Sequence, residues 1–384
     1  MSIKLIKNAN VVLENGIIWD GGILIDGDKI IKADKIDNIE VPNDAEIIDA
    51  NGAYVGPGFV DIHVHGGAGC NLFADPKKVA QYFLQHGTTS ILPTSPGMYS
   101  LEELIDGIRR IKEDMKTSKS IKGVYMEGPY TSPNYGACKG LVRWNSGDIL
   151  EEHYIPLADE LGGIVKVWTI APEREGIMEF IEYARKVNPD VVLSVGHSEA
   201  TPEQIRAFGT KYRPKLTTHL MNATGRQTGS GGIRGYGPDE YCLADKDMYA
   251  ELICDSRGIH VHSDLQRMIL KTKGYERVVL ITDSTSYSAK NPDKYADVDD
   301  LSFNDLGRLA GSKLTMEKAC RNIMSHTNCG IAQTFVMASL NPAKVIGMDD
   351  KIGSIEPGKI ADLVFVDDKF NVSKVMLNGG ICEF

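Results

Sequence analysis

No segment of the chain approaches the roughly 18 uninterrupted apolar residues that a membrane-crossing helix needs, and the opening MSIKLIKNANVVLENG breaks every apolar run with Lys, Asn or Glu. Neither an anchor nor a secretory leader is expected, which places the protein in the cytoplasm and away from membranes. Cysteine is sparse: the seven, at positions 70, 138, 242, 254, 320, 329 and 382, form no C-x-x-C pair. That spacing excludes a thiolate zinc site and a disulfide framework, and leaves reduced thiols. Positive charge is in deficit, with 42 Lys and Arg against 52 Asp and Glu and a formal charge of −10. A basic stripe for nucleic acid is missing, so no such partner is expected, and an anionic small substrate must find its Lys or Arg locally. Low-complexity tracts and internal repeats are absent too.

What the chain has is length and alternation. Its 384 residues, 42% hydrophobic and 24% charged, suffice for two to three domains of about 150 residues, or for one large α/β domain with a satellite. Eight short apolar runs follow one another: GFVDIHVH from Gly58, TTSILPTS from Thr88, IKGVYMEG from Ile121, VKVWTIAP from Val165, VVLSVGHS from Val191, KLTTHLMN from Lys215, YAELICDS from Tyr249 and RVVLITDS from Arg277. Between them, stretches such as LEELIDGIRRIKEDMK from Leu101 and IMEFIEYARKVN from Ile177 place apolar residues at three-to-four spacing, the sign of helices packed on one face. Eight βα units predict an α/β fold, a (β/α)8 TIM barrel over residues 56–354, with its reactive groups at the carboxyl ends of the strands. Residues 1–55 and 355–384 instead alternate apolar and polar positions, with turns at Glu14-Asn15-Gly16 and Asp26-Gly27-Asp28. They predict one small β-sandwich domain built from both chain termini. A helical stretch from Met316 would join the last barrel strand to the tail.

The polar residues at the predicted strand ends are of one chemical kind. The first strand ends His63-Val64-His65, the third at Glu127, the fifth at His197, the sixth at His219 and the eighth at Asp283, so six ligand-type side chains converge on one mouth. His63 and His65, two apart, point to the same face of their strand, the barrel interior. Neutral imidazoles with carboxylates suit a divalent metal, Zn²⁺ or Fe²⁺, that lowers the pKa of water and polarises a substrate carbonyl. His86, His153 and His326 fall on predicted helices and read as packing or surface groups, and of His260 and His262 one is expected to face the site.

Several stretches carry a resemblance: PGFVDIHVHG (Pro57–Gly66), MEGPY (Met126–Tyr130), GHSEAT (Gly196–Thr201), THLMNA (Thr218–Ala223), GIHVH (Gly258–His262), ITDST (Ile281–Thr285), LAGSKLTM (Leu309–Met316) and NPAKVIG with GSIEPGKIADLVFVD (Asn341–Asp367). The sequence resembles the amidohydrolase superfamily and, within it, is similar to the N-acetylglucosamine-6-phosphate deacetylases. The resemblance implies a metal held by Glu127, His197 and His219, with Glu127 in place of the carboxylated lysine that bridges two metals in other amidohydrolases. It further implies a second ion on His63, His65, Glu127 and Asp283. Asp283 would take a proton from the attacking water and give it to the departing amine. His260 would hydrogen-bond the carbonyl oxygen or oxyanion. Asn222 and Ala223 would meet the sugar phosphate, and Arg226 would reach it across the interface of a homodimer.

Departures from the family pattern bear on the substrate. Where the family carries Gly-Ala-His after the glutamate, this chain reads GACKGLVRW, with Cys138 and Lys139 at that point and Arg143 nearby as a second possible anion-binding group. GSGGIRGYGPDEY follows Arg226, so Arg234 competes for its role. The expected reaction is deacetylation of N-acetylglucosamine 6-phosphate in amino-sugar catabolism. Alternatives are another N-acyl amino sugar, such as N-acetylgalactosamine 6-phosphate, or another amide. A cyclic-amide hydrolase would need a bridging lysine where the fourth strand here ends Thr169-Ile170-Ala171, and a non-catalytic scaffold would not need six intact ligand positions.

Overall fold

A computed structural model of the chain describes residues 3–141, 143–225 and 235–384. Barrel strands form at all eight apolar runs: Phe59–Val64, Thr88–Pro93, Val124–Met126, Val165–Ile170, Val192–Val195, Leu216–Thr217, Tyr249–Ile253 and Val278–Ile281. The last six make one parallel sheet in consecutive order, and the first two pair in parallel with each other. A parallel bridge between Thr94 and Tyr125 joins the second strand to the third. The ring closes where Asp283 N donates to His63 O at 2.9 Å and His65 N to Ser284 O at 2.8 Å. The fold is thus a TIM-barrel-like α/β fold with further structure built from the chain ends.

Each barrel strand is followed by a helix, and local chemistry fixes where several begin. Ser100 and Glu103 form a reciprocal capping box at the start of Leu101–Met115, and Asp75 accepts the Lys78 N–H ahead of Pro76–Gln85. Leu101–Met115 buries Leu104, Gly107, Ile108 and Ile111, and Ile177–Val187 buries Ile177, Phe180, Ile181 and Ala184, the stripes that the spacing predicts. The sixth strand is the exception in length. It holds only Leu216–Thr217, because the chain leaves the sheet at His219, where φ is +29°.

The two ends of the chain enter one hydrogen-bonded sheet of eight strands. Its seam is the antiparallel pairing of Tyr54–Pro57 with Leu363–Val366, which sets the residues just before the first barrel strand against the tail. A core of its own, including Ile6, Ile23, Ile25, Val55, Leu363 and Phe365, lies on this sheet. No described helix is long and apolar enough to cross a membrane.

Candidate metal centre

The six strand-end side chains do meet. Glu127 lies at the middle: its Oε1 is 2.8 Å from His197 Nε2, 3.0 Å from His219 Nε2 and 3.5 Å from His63 Nε2, and its Oε2 is 3.1 Å from His65 Nε2. Asp283 closes the ring, with Oδ1 3.3 Å from His65 Nε2 and 3.8 Å from His63 Nε2. Two groups capable of holding an ion share Glu127, one with His63 and His65, the other with His197 and His219.

The backbone at these positions is forced. His197, His219 and Asp283 all have positive φ, at +45°, +29° and +48°, a region that side-chain-bearing residues avoid unless their surroundings over-determine it. Here they do: Ser132 N binds His197 O at 2.8 Å, His219 N binds the Glu251 carboxylate at 3.1 Å, and Asp283 O accepts from Ser312 N at 2.8 Å. The loop after Glu127 is pressed onto the centre at Gly136, where φ is +82° and a Cβ would lie 2.5 Å from the His197 ring. Only glycine fits there.

Whether a cation belongs in this cluster can be tested on the lone pairs. His219 Nδ1 donates to Asn222 O at 3.0 Å and His63 Nδ1 to Glu251 Oε2 at 3.0 Å, so each ring, when neutral, turns an unprotonated Nε2 inward. His197 and His219 bring their Nε2 atoms within 3.1 Å of each other, and His63 Nε2 is buried with no hydrogen-bond partner among the described residues. Converging imidazole and carboxylate lone pairs of this kind suit a divalent cation. Burial opposes charge on the rings, yet Glu251 and Glu127 push His63 well above its usual value, and hydrogen bonds from Asp283 and Glu127 hold His65 at about 9.

A profile of the amidohydrolase family matches residues 54–382. The chain belongs to the amidohydrolase family. Within this family it is 31% identical to the N-acetylgalactosamine-6-phosphate deacetylase of Escherichia coli O157:H7, over 85% of this chain and 87% of that one. The crystal structure of N-acetylglucosamine-6-phosphate deacetylase from Pasteurella multocida superposes with a TM-score of 0.85 at 27% identity, covering 99% of both chains. A variant of the Mycobacterium smegmatis enzyme, solved in complex with N-acetyl-D-glucosamine-6-phosphate, superposes at 0.83 with 26% identity and the same 99% coverage of each. This amidohydrolase therefore carries the recognised fold through its whole length.

The remaining predicted residues are unequally placed. His260 is buried beside the centre: its Nδ1 lies 2.9 Å from Asp255 Oδ2, and its Nε2 lies 3.0 Å from the carbonyl oxygen of Gly311, a residue packed directly on Asp283. Asn222 spans the two histidines, its carbonyl accepting from His219 and its Nδ2 donating to His260 O at 3.3 Å; Ala223 follows at φ +53°. Lys139 is exposed, with Nζ 6.0 Å over the Tyr135 ring, and is not drawn into the cluster. Arg143 donates to Gly97 O at 2.6 Å. Arg226 and Arg234 lie outside the described residues. Of the paired histidines downstream, His262 turns away and caps the helix Ser263–Lys273, accepting from Asp264 N.

Two carboxylates went unnoticed in the sequence. Glu251 stands inside the seventh barrel strand and Asp255 just past its end, both fully buried, and the signal for either was an acid within the apolar run YAELICDS. Asp255 accepts from the backbone of Ile259 and His260 as well as from the His260 ring. Burial works against its charge, but His260 and these N–H groups outweigh it and bring the carboxyl from 3.8 down to about 2. A depressed folded-state value means stability that is present above pH 4 and lost as the pH falls through 2. Metal-free Asp255→Asn should accordingly be about 2 kcal/mol less stable than wild type at neutral pH. In urea unfolding the gap should narrow below pH 4. A gap independent of pH would deny the carboxylate its charge-based role.

Proposed function

We propose that this chain is a metal-dependent deacetylase of an N-acetylhexosamine 6-phosphate, with N-acetylglucosamine 6-phosphate the leading substrate. The observation that carries the reading is the single carboxylate, Glu127, set between two histidine pairs with Asp283 beside them. Glu127, His197 and His219 would hold one divalent ion, Zn²⁺ or Fe²⁺, and His63 and His65 with Glu127 and Asp283 a second. Such an ion polarises the amide carbonyl and makes water a better nucleophile at neutral pH.

The chain's own residues account for the proton movements. The carboxyl of Asp283 is pushed up by burial, but the His65 hydrogen bond and the charge of His63 hold it below its usual range, so it is ionised and free to accept a proton. It takes one from the water that attacks the acetyl carbonyl. As the C–N bond breaks it returns that proton to the amine, giving acetate and the amino sugar. His260, steered by Asp255, exchanges the Gly311 carbonyl for the substrate oxygen as negative charge grows there. By the family resemblance Asn222 and Ala223 would meet the sugar phosphate, and Arg226, outside the described residues, would reach it across a homodimer interface. All seven cysteines are free, which suits a reducing, cytoplasmic setting. The domain division we propose is a small sandwich unit from residues 1–55 and 355–384 beside a barrel over 56–354, supported by the core that the described parts of the two ends share.

The substrate is tested by acetate release from metal-stripped protein reloaded with Zn²⁺, Fe²⁺ or Mn²⁺. N-acetylglucosamine 6-phosphate should turn over only with metal, and the unphosphorylated sugar should lose about 100-fold in kcat/KM for want of charged phosphate contacts. Faster turnover of N-acetylgalactosamine 6-phosphate would reassign the epimer. Silence on every sugar with metal bound would discard the sugar and keep the hydrolase.

A further inference from the structure

Glu251 belongs to neither ligand group, yet it touches both. Its side chain is fully buried, and one oxygen, Oε2, lies 3.0 Å from His63 Nδ1 and 3.1 Å from the backbone nitrogen of His219. Its other oxygen, Oε1, is buried with no hydrogen-bond partner among the described residues. The Glu251 carbonyl also accepts from Leu220 N at 2.8 Å, so side chain and backbone together grip the turn that carries His219. On its other side the His63 ring meets the Tyr125 ring, with centroids 4.6 Å apart. A carboxylate sealed from water in such a place needs a proton donor or a cation to answer it. A plain structural anchor would need only a neutral amide.

We propose that Glu251 is a positioning residue for the metal centre, holding the proton of His63 on Nδ1 so that Nε2 is offered inward, and tying that ring to the His219 turn through the same oxygen. The inference rests on the cation site argued above, and it adds a link between the two ligand groups. Carboxylate–histidine–metal arrangements fix the tautomer and raise the basicity of the ligand nitrogen, and breaking one typically loosens the metal 10- to 100-fold. Here a single carboxylate acts on one ligand by its ring and on another by its backbone.

The experiment is Zn²⁺ affinity by chelator competition on the full chain, with no substrate present, for wild type, Glu251→Gln, His63→Asn and the double variant. Glu251→Gln should bind Zn²⁺ 10- to 100-fold more weakly while keeping the wild-type circular dichroism spectrum. In the His63→Asn background the same change should cost clearly less than in wild type, because the ring is gone and only the part acting through the His219 backbone is left. Affinity within threefold of wild type in Glu251→Gln, or an undiminished loss in the double variant, would overturn the role. Should the Gln variant not fold, nitrogen-15 histidine spectra of the wild type decide instead: a proton on His63 Nδ1 in the Zn²⁺-loaded protein supports the assignment, and a proton on Nε2 refutes it. Wild-type protein that takes up no Zn²⁺ would overturn the metal centre itself, a result distinct from tight binding that ignores Glu251.

Discussion

Asp283→Asn should lose on the order of 1,000-fold in kcat while the protein still binds its metal. Positioned acid–base groups contribute roughly 10²- to 10⁴-fold, and Asp283 is the carboxylate with the geometry for the task. Its Oδ1 stands 3.3 Å from His65 and 3.8 Å from His63, and its backbone is locked between His63 O and Ser312 N. The amide is nearly isosteric and can still meet His65, so the change removes the proton-accepting charge and little else. Metal content measured on the same preparation separates the two roles assigned to this residue. Activity within tenfold of wild type, with metal present, would take the proton transfer away from Asp283.

Glu127→Gln should act earlier, on the metal. Glu127 faces four imidazoles through two oxygens and is held far below the usual carboxylate range, where burial alone would raise it, by His197 and His63 foremost. Replacing it with an amide sets an N–H₂ group against at least one ring nitrogen whose lone pair points inward. Affinity for Zn²⁺ should fall at least about 100-fold, beyond what the loss of a supporting carboxylate does elsewhere. Turnover at ordinary metal concentrations should vanish with it. Unchanged affinity would mean that the histidine pairs bind without the shared carboxylate, and the reading of one common centre would fail.

The barrel was legible because its strands and helices differ in period, and all eight apolar runs became strands. The meeting of the six strand-end side chains was legible for a related reason: in a barrel, position at a strand's carboxyl end is position at the mouth. Glu251 was not. A strand such as YAELI reads as ordinary alternation, and nothing local says that its acid is turned inward against His63 and His219. Asp255 escaped notice because its partner, His260, sits on the loop that follows. The press of Gly136 on His197 joins loops of different strands, which spacing along the chain does not reveal. Lys139, a cation near the mouth in sequence, is exposed, with its Nζ 6.0 Å over the Tyr135 ring.

The pairing of Tyr54–Pro57 with Leu363–Val366 has a consequence for biosynthesis. The segment that launches the first barrel strand takes its neighbour from a stretch more than 300 residues downstream, which is synthesised long after it. Until then one edge of the amino-terminal strands stands open, and an open strand edge is a template for pairing with another chain. Contacts of such sequence separation also slow folding. The seam therefore cannot close before Leu363–Val366 has been made, and nascent chains stalled short of Leu363 are the form most exposed to aggregation.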